Sequence, residues 1–485
     1  MDAGYIDGVR VAGAGAPLTV ENPSDEQVVA RFDGLSEAQV SDAIAAARKA
    51  YDSGVWSDLS AADRATALRR FVDALAARAE EFAGILVAET GCPKGSSAMR
   101  NQFALPLGQA KQTIDLFLTL PEIEENPLPM SERVNAMGQV VQSLRRYTPV
   151  GVVAAIAAYN FPFLTALWKV IPALIAGNTV VLRPSPLTPL SALPFGDAAS
   201  DAGLPAGVLN VVLEGGLEGG RLMTTDPRVD MVAFTGSTAV GIQVMQQAAP
   251  TMKRLQLELG GKSAQIFLPD SLDKVTPVAF GACTAHAGQG CAIGTRIFVP
   301  ESEKPAVLEK LRTAFDALKI GHADDAASQM GPVISAAQRD RCQHFVDLAV
   351  AHGGKVVAGG KRPPGLDKGY YFEPTILDLP DNSNPAAQEE IFGPVVGVIG
   401  YRDLDHAVEM ANDSRYGLSG YVFGADRKKA LEVGLRIKSG TVNVNAGMMS
   451  AYASSGGQRL SGVGRERGIE GLRLYQQLSG LNLGA

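Results

Sequence analysis

Few side-chain types in this chain are placed to do chemistry. Cys291 sits in the segment His286-Ala287-Gly288-Gln289-Gly290-Cys291-Ala292, just after an expected helix. Small flanking residues let a carbonyl carbon and backbone N–H groups approach the sulfur, which suits a nucleophile. The bland alternative is a small buried hydrophobe, since free thiols are among the most buried side chains. Other familiar chemistries are missing. Gly236-Ser237-Thr238-Ala239-Val240-Gly241 has phosphate-loop spacing but continues as Ile242-Gln243, without the Lys and Ser/Thr that would hold phosphate and magnesium. The five histidines show no HExxH spacing and no G-x-S-x-G elbow occurs. The four cysteines, Cys92, Cys283, Cys291 and Cys342, form no C-x-x-C pair, so no metal site is expected. A G-x-G-x-x-G fingerprint after the first parallel strand is also missing.

The elements that must position Cys291 belong to a long, ordinary globular chain. Its 485 residues are 46% hydrophobic and 20% charged, which implies two or three domains and excludes wholesale disorder. Lys+Arg 44 against Asp+Glu 51 gives −7, a balance that recruits neither nucleic acid nor an anionic membrane. The opening MDAGYIDGVR has no apolar run of signal-peptide length, so a reducing, cytoplasmic setting is expected. The most apolar stretch, 149–182, is cut by Asn160, Pro162, Lys169, Pro172 and Gly177-Asn178, and reads as buried core rather than a membrane span.

Ser36 with Gln39, and Ser60 with Asp63, open Ala-rich helices expected to run to about Ala50 and about Glu89. The alternating run 134–147 reads as a hairpin or protruding strand pair. From Val152 short β-branched runs at 152–157, 179–182, 208–212, 231–234 and 255–259 alternate with helical stretches. This is the pattern of a parallel, doubly wound sheet of dinucleotide-binding type. A second α/β series follows Gly260-Gly261, with a strand at 264–267, helices at 272–287 and 303–318, and strands toward 441–445. The tail, 475–483, is expected to return and pair with the 134–147 run.

Several segments together resemble the aldehyde dehydrogenase superfamily over nearly the whole chain. They are Tyr159-Asn160-Phe161-Pro162, Arg183-Pro184-Ser185, Phe234-Thr235-Gly236-Ser237-Thr238, Glu258-Leu259-Gly260-Gly261-Lys262, Gly288-Gln289-Gly290-Cys291, Glu390-Ile391-Phe392-Gly393-Pro394 and Ser461-Gly462-Val463-Gly464-Arg465-Glu466, in the family's order. The resemblance implies an α/β fold with a Rossmann-type cofactor domain (1–128 and 149–258), a catalytic domain (259–458) and an oligomerisation arm with tail (129–148 and 459–485). It implies oxidation of an aldehyde to a carboxylic acid with NAD or NADP, in a homodimer or homotetramer. Cys291 would attack the aldehyde as thiolate, with Asn160 and the Cys291 N–H stabilising the oxyanion. Glu258 would activate the water that hydrolyses the thioester, helped by an apolar setting that raises its pKa. Arg183, Ser185, Phe234, Gly236, Ser237, Glu390 and Phe392 are the implied cofactor residues. Phe161, Trp168, Met449 and Ser455 are the implied substrate pocket. Lys169 and Lys262 admit either a tuning role or a structural one.

The sequence departs from the family pattern at instructive points. Arg183 stands where Lys is usual and Pro186 where NAD-selective members often carry Glu, so NAD is favoured but NADP stays open. Tyr159 replaces Trp, and Ser454-Ser455-Gly456-Gly457 replaces Pro-Phe-Gly-Gly, removing an aromatic wall from the aldehyde tunnel. A larger or semi-polar aldehyde is therefore expected. The rivals are a CoA-acylating semialdehyde dehydrogenase, against which Glu258 argues, and a non-catalytic structural homologue.

Overall fold

The computed structural model describes residues 1–445 and 450–484; Met449, one of the expected pocket residues, lies outside them. Two large sheets organise the chain. In the first, the parallel strands Val152–Ile156, Thr179–Arg183, Leu209–Val212, Met231–Thr235 and Arg254–Glu258 match the β-branched runs. Burial of the first three end to end explains why they read as unbroken apolar runs. Their spatial order places Val152–Ile156 between Thr179–Arg183 and Met231–Thr235. Chain direction across the sheet therefore reverses there, and in open α/β sheets such a switch point opens a crevice at the strand carboxyl ends. Asp2–Ile6 and Val9–Ala12 extend one edge antiparallel. The two-residue strand Gly462–Val463 closes the other edge, against Leu257 and Glu258.

The second sheet runs in the order Lys355–Ala358, Thr375–Asp378, Val395–Tyr401, Gly294–Pro300, Ser263–Phe267, Ser419–Phe423, Thr441–Val444, with only the first strand antiparallel. The turn Leu259-Gly260-Gly261-Lys262 links Glu258 of the first sheet to Ser263 of the second.

The helix expected from Ser36 is Glu37–Asp52, with a complete capping box from Ser36 and Gln39. That expected from Ser60 is two helices, Ala61–Ala76 and Ala79–Thr90. The break at Ala77-Arg78 carries no Gly or Pro to announce it, and Phe82, Leu86 and Val87 of the second piece turn into the core. The 272–287 helix is also shorter than expected: Val275–Thr284 is regular, but His286 and Ala287 adopt left-handed φ values of 51° each. The run 134–147 does not fold back as a hairpin beyond a single Val134–Val140 bridge. Its second half is the strand Val141–Pro149, which pairs with Ile123–Glu125 on one side and with the tail Gln476–Gly484 on the other. The expected return of the tail is thus observed, while the hairpin is replaced by a three-stranded sheet.

Candidate active site

Strand register puts the implied residues on one edge. Thr235 lies opposite Glu258, Phe234 opposite Ile156, and Ile156 opposite Arg183. Asn160 follows the central strand and precedes the helix Pro162–Ile175, which Pro162 opens at its first turn. The Asn160 side-chain amide donates to the Gln289 backbone carbonyl at 2.8 Å, and the Asn160 backbone carbonyl accepts from Gln102 Nε2 at 2.8 Å. It thereby ties the first sheet to the loop of Cys291. An Asn amide carries two N–H groups, so one remains for a substrate oxygen.

Cys291 lies at the amino end of the strand Gly294–Pro300 and is partly accessible, whereas the other three cysteines are buried. Gly261 passes so near that a Cβ there would stand 2.8 Å from the Cys291 carbonyl oxygen, which only glycine tolerates. The turn leaving Glu258 therefore runs directly beside the cysteine loop. Burial, then the Glu258, Glu390 and Glu466 carboxylates, push the thiol up to about 12, while a hydrogen bond from the Ala292 backbone pulls it down.

Burial pushes Glu258 up to about 8, with Glu466 adding to the shift and Lys169, Arg465 and Arg467 opposing it. Leu257 and Leu259 on either side are buried. Lys169, ambiguous in the sequence, forms a fully buried ion pair with Glu466 at 2.7 Å and donates to Thr235 Oγ1 at 2.6 Å. Burial, then the neighbouring Arg296, push Lys262 down to about 7.

Several of the residues implied for the cofactor stand at or just beyond the strand ends of the switch point. At Gly236 a Cβ would lie 2.4 Å from the Phe234 ring, so only a bare backbone fits above that buried phenyl group. Ser237 caps the helix Thr238–Ala248, its side chain accepting from the Val240 N–H. Ser185 is half-buried beyond Arg183. Glu390 accepts from the Gly261 N–H at 2.8 Å, and burial pushes it up to about 6. Phe392 is held at φ 61°, its ring edge-on to Tyr159 with centroids 5.9 Å apart.

Of the implied pocket residues, Phe161 packs against the His286 ring at 5.4 Å. Trp168 and Ser455 are brought together by a residue that sequence reasoning missed. Arg467 stacks over the Trp168 ring at 4.9 Å and donates from Nε to Ser455 Oγ at 3.0 Å. The signal was its place, one residue after the Ser461–Glu466 motif. Arg467 also lines a small cavity with Trp168, Pro172, Glu466 and Tyr475. A second missed residue, Glu214, accepts the Arg183 Nε–H; the Glu-Gly-Gly after the third parallel strand marked it.

Known proteins agree with this architecture. The model of the aldehyde dehydrogenase family matches residues 11–480. Geranial dehydrogenase of Castellaniella defragrans is 37% identical over 464 residues, covering 95% of this chain and 94% of that protein. A crystal structure of an aldehyde dehydrogenase C variant from Pseudomonas syringae, complexed with NAD+ and octanal, superposes with TM-score 0.92 at 36% identity over 99% of this chain and 96% of that one. An NAD+ complex of a Mycobacterium tuberculosis aldehyde dehydrogenase gives TM-score 0.91 at 36% identity, over 99% and 97%. With the family match running almost end to end and these relatives alike over nearly their full lengths, the chain belongs to the aldehyde dehydrogenase family.

Proposed function

We propose that this chain oxidises an aldehyde to a carboxylic acid with NAD+ through a covalent adduct on Cys291. The observation that carries the reading is the tie between Asn160 and the cysteine loop, beside a base strand ending in a carboxyl group tuned to about 8. The Cys291 proton passes through water to the Glu258 carboxylate and on to solvent, and the freed sulfur bonds to the aldehyde carbon as the carbonyl electron pair moves to oxygen. The oxygen becomes an oxyanion that accepts from the Asn160 amide and the Cys291 N–H. Collapse of this thiohemiacetal expels hydride and leaves a thioester on sulfur; bound NAD+ supplies the hydride acceptor. Glu258 takes a proton from water, the hydroxyl oxygen bonds to the thioester carbon, and the acid leaves as the thiol is reprotonated. A carboxyl group in that position favours water over a CoA thiol as the acyl acceptor.

The cofactor residues are Arg183, Ser185, Phe234, Gly236, Ser237, Glu390 and Phe392, on a unit formed by 1–128 and 149–258. Residues 259–458 form the catalytic unit, and 129–148 with 459–485 form the arm of a cytoplasmic homodimer or homotetramer. The substrate is a medium-length or semi-polar aldehyde. Ser455 in place of an aromatic wall, and relatives named for geranial and crystallised with octanal, support that class. The test is Cys291→Ala, which abolishes aldehyde-dependent NADH formation while NADH binding, followed by fluorescence titration, persists. Turnover surviving the substitution overturns the assignment.

A further inference from the structure

We propose that the buried Arg183–Glu214 pair makes the cofactor site selective for NAD+ over NADP+; the proposal rests on the dehydrogenase reading above. Arg183 ends a strand beside the switch point, where the crevice rule places the adenosine ribose. Taken alone, its fork-shaped guanidinium is the group that would bind a 2′-phosphate. The fold spends it elsewhere. Arg183 Nε donates to Glu214 Oε1, and a terminal nitrogen donates to the Gly216 carbonyl at 3.2 Å. Glu214 is fixed in turn by the Gly219 and Gly220 N–H groups, each 2.8 Å from its carboxylate oxygens. Both side chains are buried, with relative exposures of 7% and 4%.

Two consequences follow from charge and hydrogen-bond count. The pair is neutral, so Arg183 offers no net cation to a dianionic phosphate, and a 2′-phosphate would meet the Glu214 carboxylate in a poorly solvated site. A ribose 2′-hydroxyl, by contrast, is a donor that a carboxylate can accept. Glu214 thus supplies from a neighbouring strand the acid that Pro186 lacks. The departures at 183 and 186 belong to one rearrangement, in which an acid just past the next strand, 31 residues on, both occupies the arginine and guards the ribose.

The test titrates full-length protein with NADH and with NADPH by nucleotide fluorescence. The wild type binds NADH at least about tenfold more tightly than NADPH, as a like-charge contact predicts. Glu214→Gln, which keeps hydrogen-bonding capacity but drops the charge, narrows that ratio by about tenfold, chiefly by strengthening NADPH. Glu214→Asp, which keeps the charge, retains the preference, as a merely structural role would not require. Equal affinities in the wild type, a measurement that needs no variant to fold, overturn the proposal, as does an unchanged ratio in Glu214→Gln. If neither dinucleotide binds the wild type, the dehydrogenase reading itself falls.

Discussion

At the scale of single residues, the site is governed by proton affinity. Glu258 sits at about 8 because burial disfavours its charge and Glu466 repels it, against the pull of Lys169 and the arginines. Its basic form accumulates only as pH rises through that value, so release of acid accelerates on the alkaline side and falls away below it. The steady-state profile of kcat is expected to show this ascending limb. Glu258→Gln should flatten it and slow acid release by about 10²- to 10⁴-fold, with acyl-enzyme building up in rapid-quench samples. His286 gives an independent check. It is buried with no hydrogen-bond partner on either ring nitrogen among the described residues, and burial pushes it down to about 4 from an ordinary 6.5. Between those pH values the unfolded chain binds a proton that the folded chain refuses, so stability drops as pH falls through that window, by about 3 kcal/mol in total. Thermal melts of wild type and His286→Met at pH 7.5 and pH 5 should show the smaller acid-induced drop in the variant.

At the scale of elements, what the sequence reveals depends on whether the determining contacts are local. The five parallel strands were legible because burial on both faces writes an uninterrupted β-branched run. The capping box at Ser36 was legible because its partner is three residues away. The order of strands, and so the switch point, is set by pairings far apart in sequence and leaves no local trace. The break at Ala77-Arg78 and the left-handed His286-Ala287 pair were hidden because neither uses glycine or proline. Among site residues, Cys291, Glu258 and Asn160 stood out inside motifs, whereas Arg467 and Glu214 gain meaning only from the partners the fold brings to them, Trp168 with Ser455 and Arg183. The Gly260-Gly261 turn illustrates an element whose function is clearance. Gly261→Val would drive a side chain into the Cys291 carbonyl and Leu418. Shifting the nucleophile by about an ångström is expected to cost about 10²-fold in kcat, with the far-ultraviolet circular dichroism spectrum preserved.

At the scale of the whole molecule, the three-stranded sheet is the least self-sufficient part. The tail strand exposes Leu478, Leu481 and Leu483, and its companion Ile123 is also exposed. Such an exposed apolar sheet suits contact with another copy of the chain. Removing residues 476–485 is expected to abolish self-association of the chain as read by light scattering after size exclusion. No helix among the described residues is long and apolar enough to cross a membrane, which agrees with reading 149–182 as core.

The path of the last residues joins that arm to the reacting centre. Gly462–Val463 clamps the Glu258 strand, Glu466 holds Lys169, and the short helix Gly468–Leu474 leads straight into Gln476–Gly484. Arg254, at the start of the base strand, donates to the Leu474 carbonyl at 2.9 Å, and Asn178 to that of Tyr475 at 3.0 Å. One ribbon of about twenty residues therefore connects the Glu258 strand to the exposed arm sheet. With the arm joining copies as proposed above, turnover per subunit is expected to fall upon dilution to nanomolar protein and return upon reconcentration, so that the cell's supply of the protein would set both how much enzyme exists and how well each copy works.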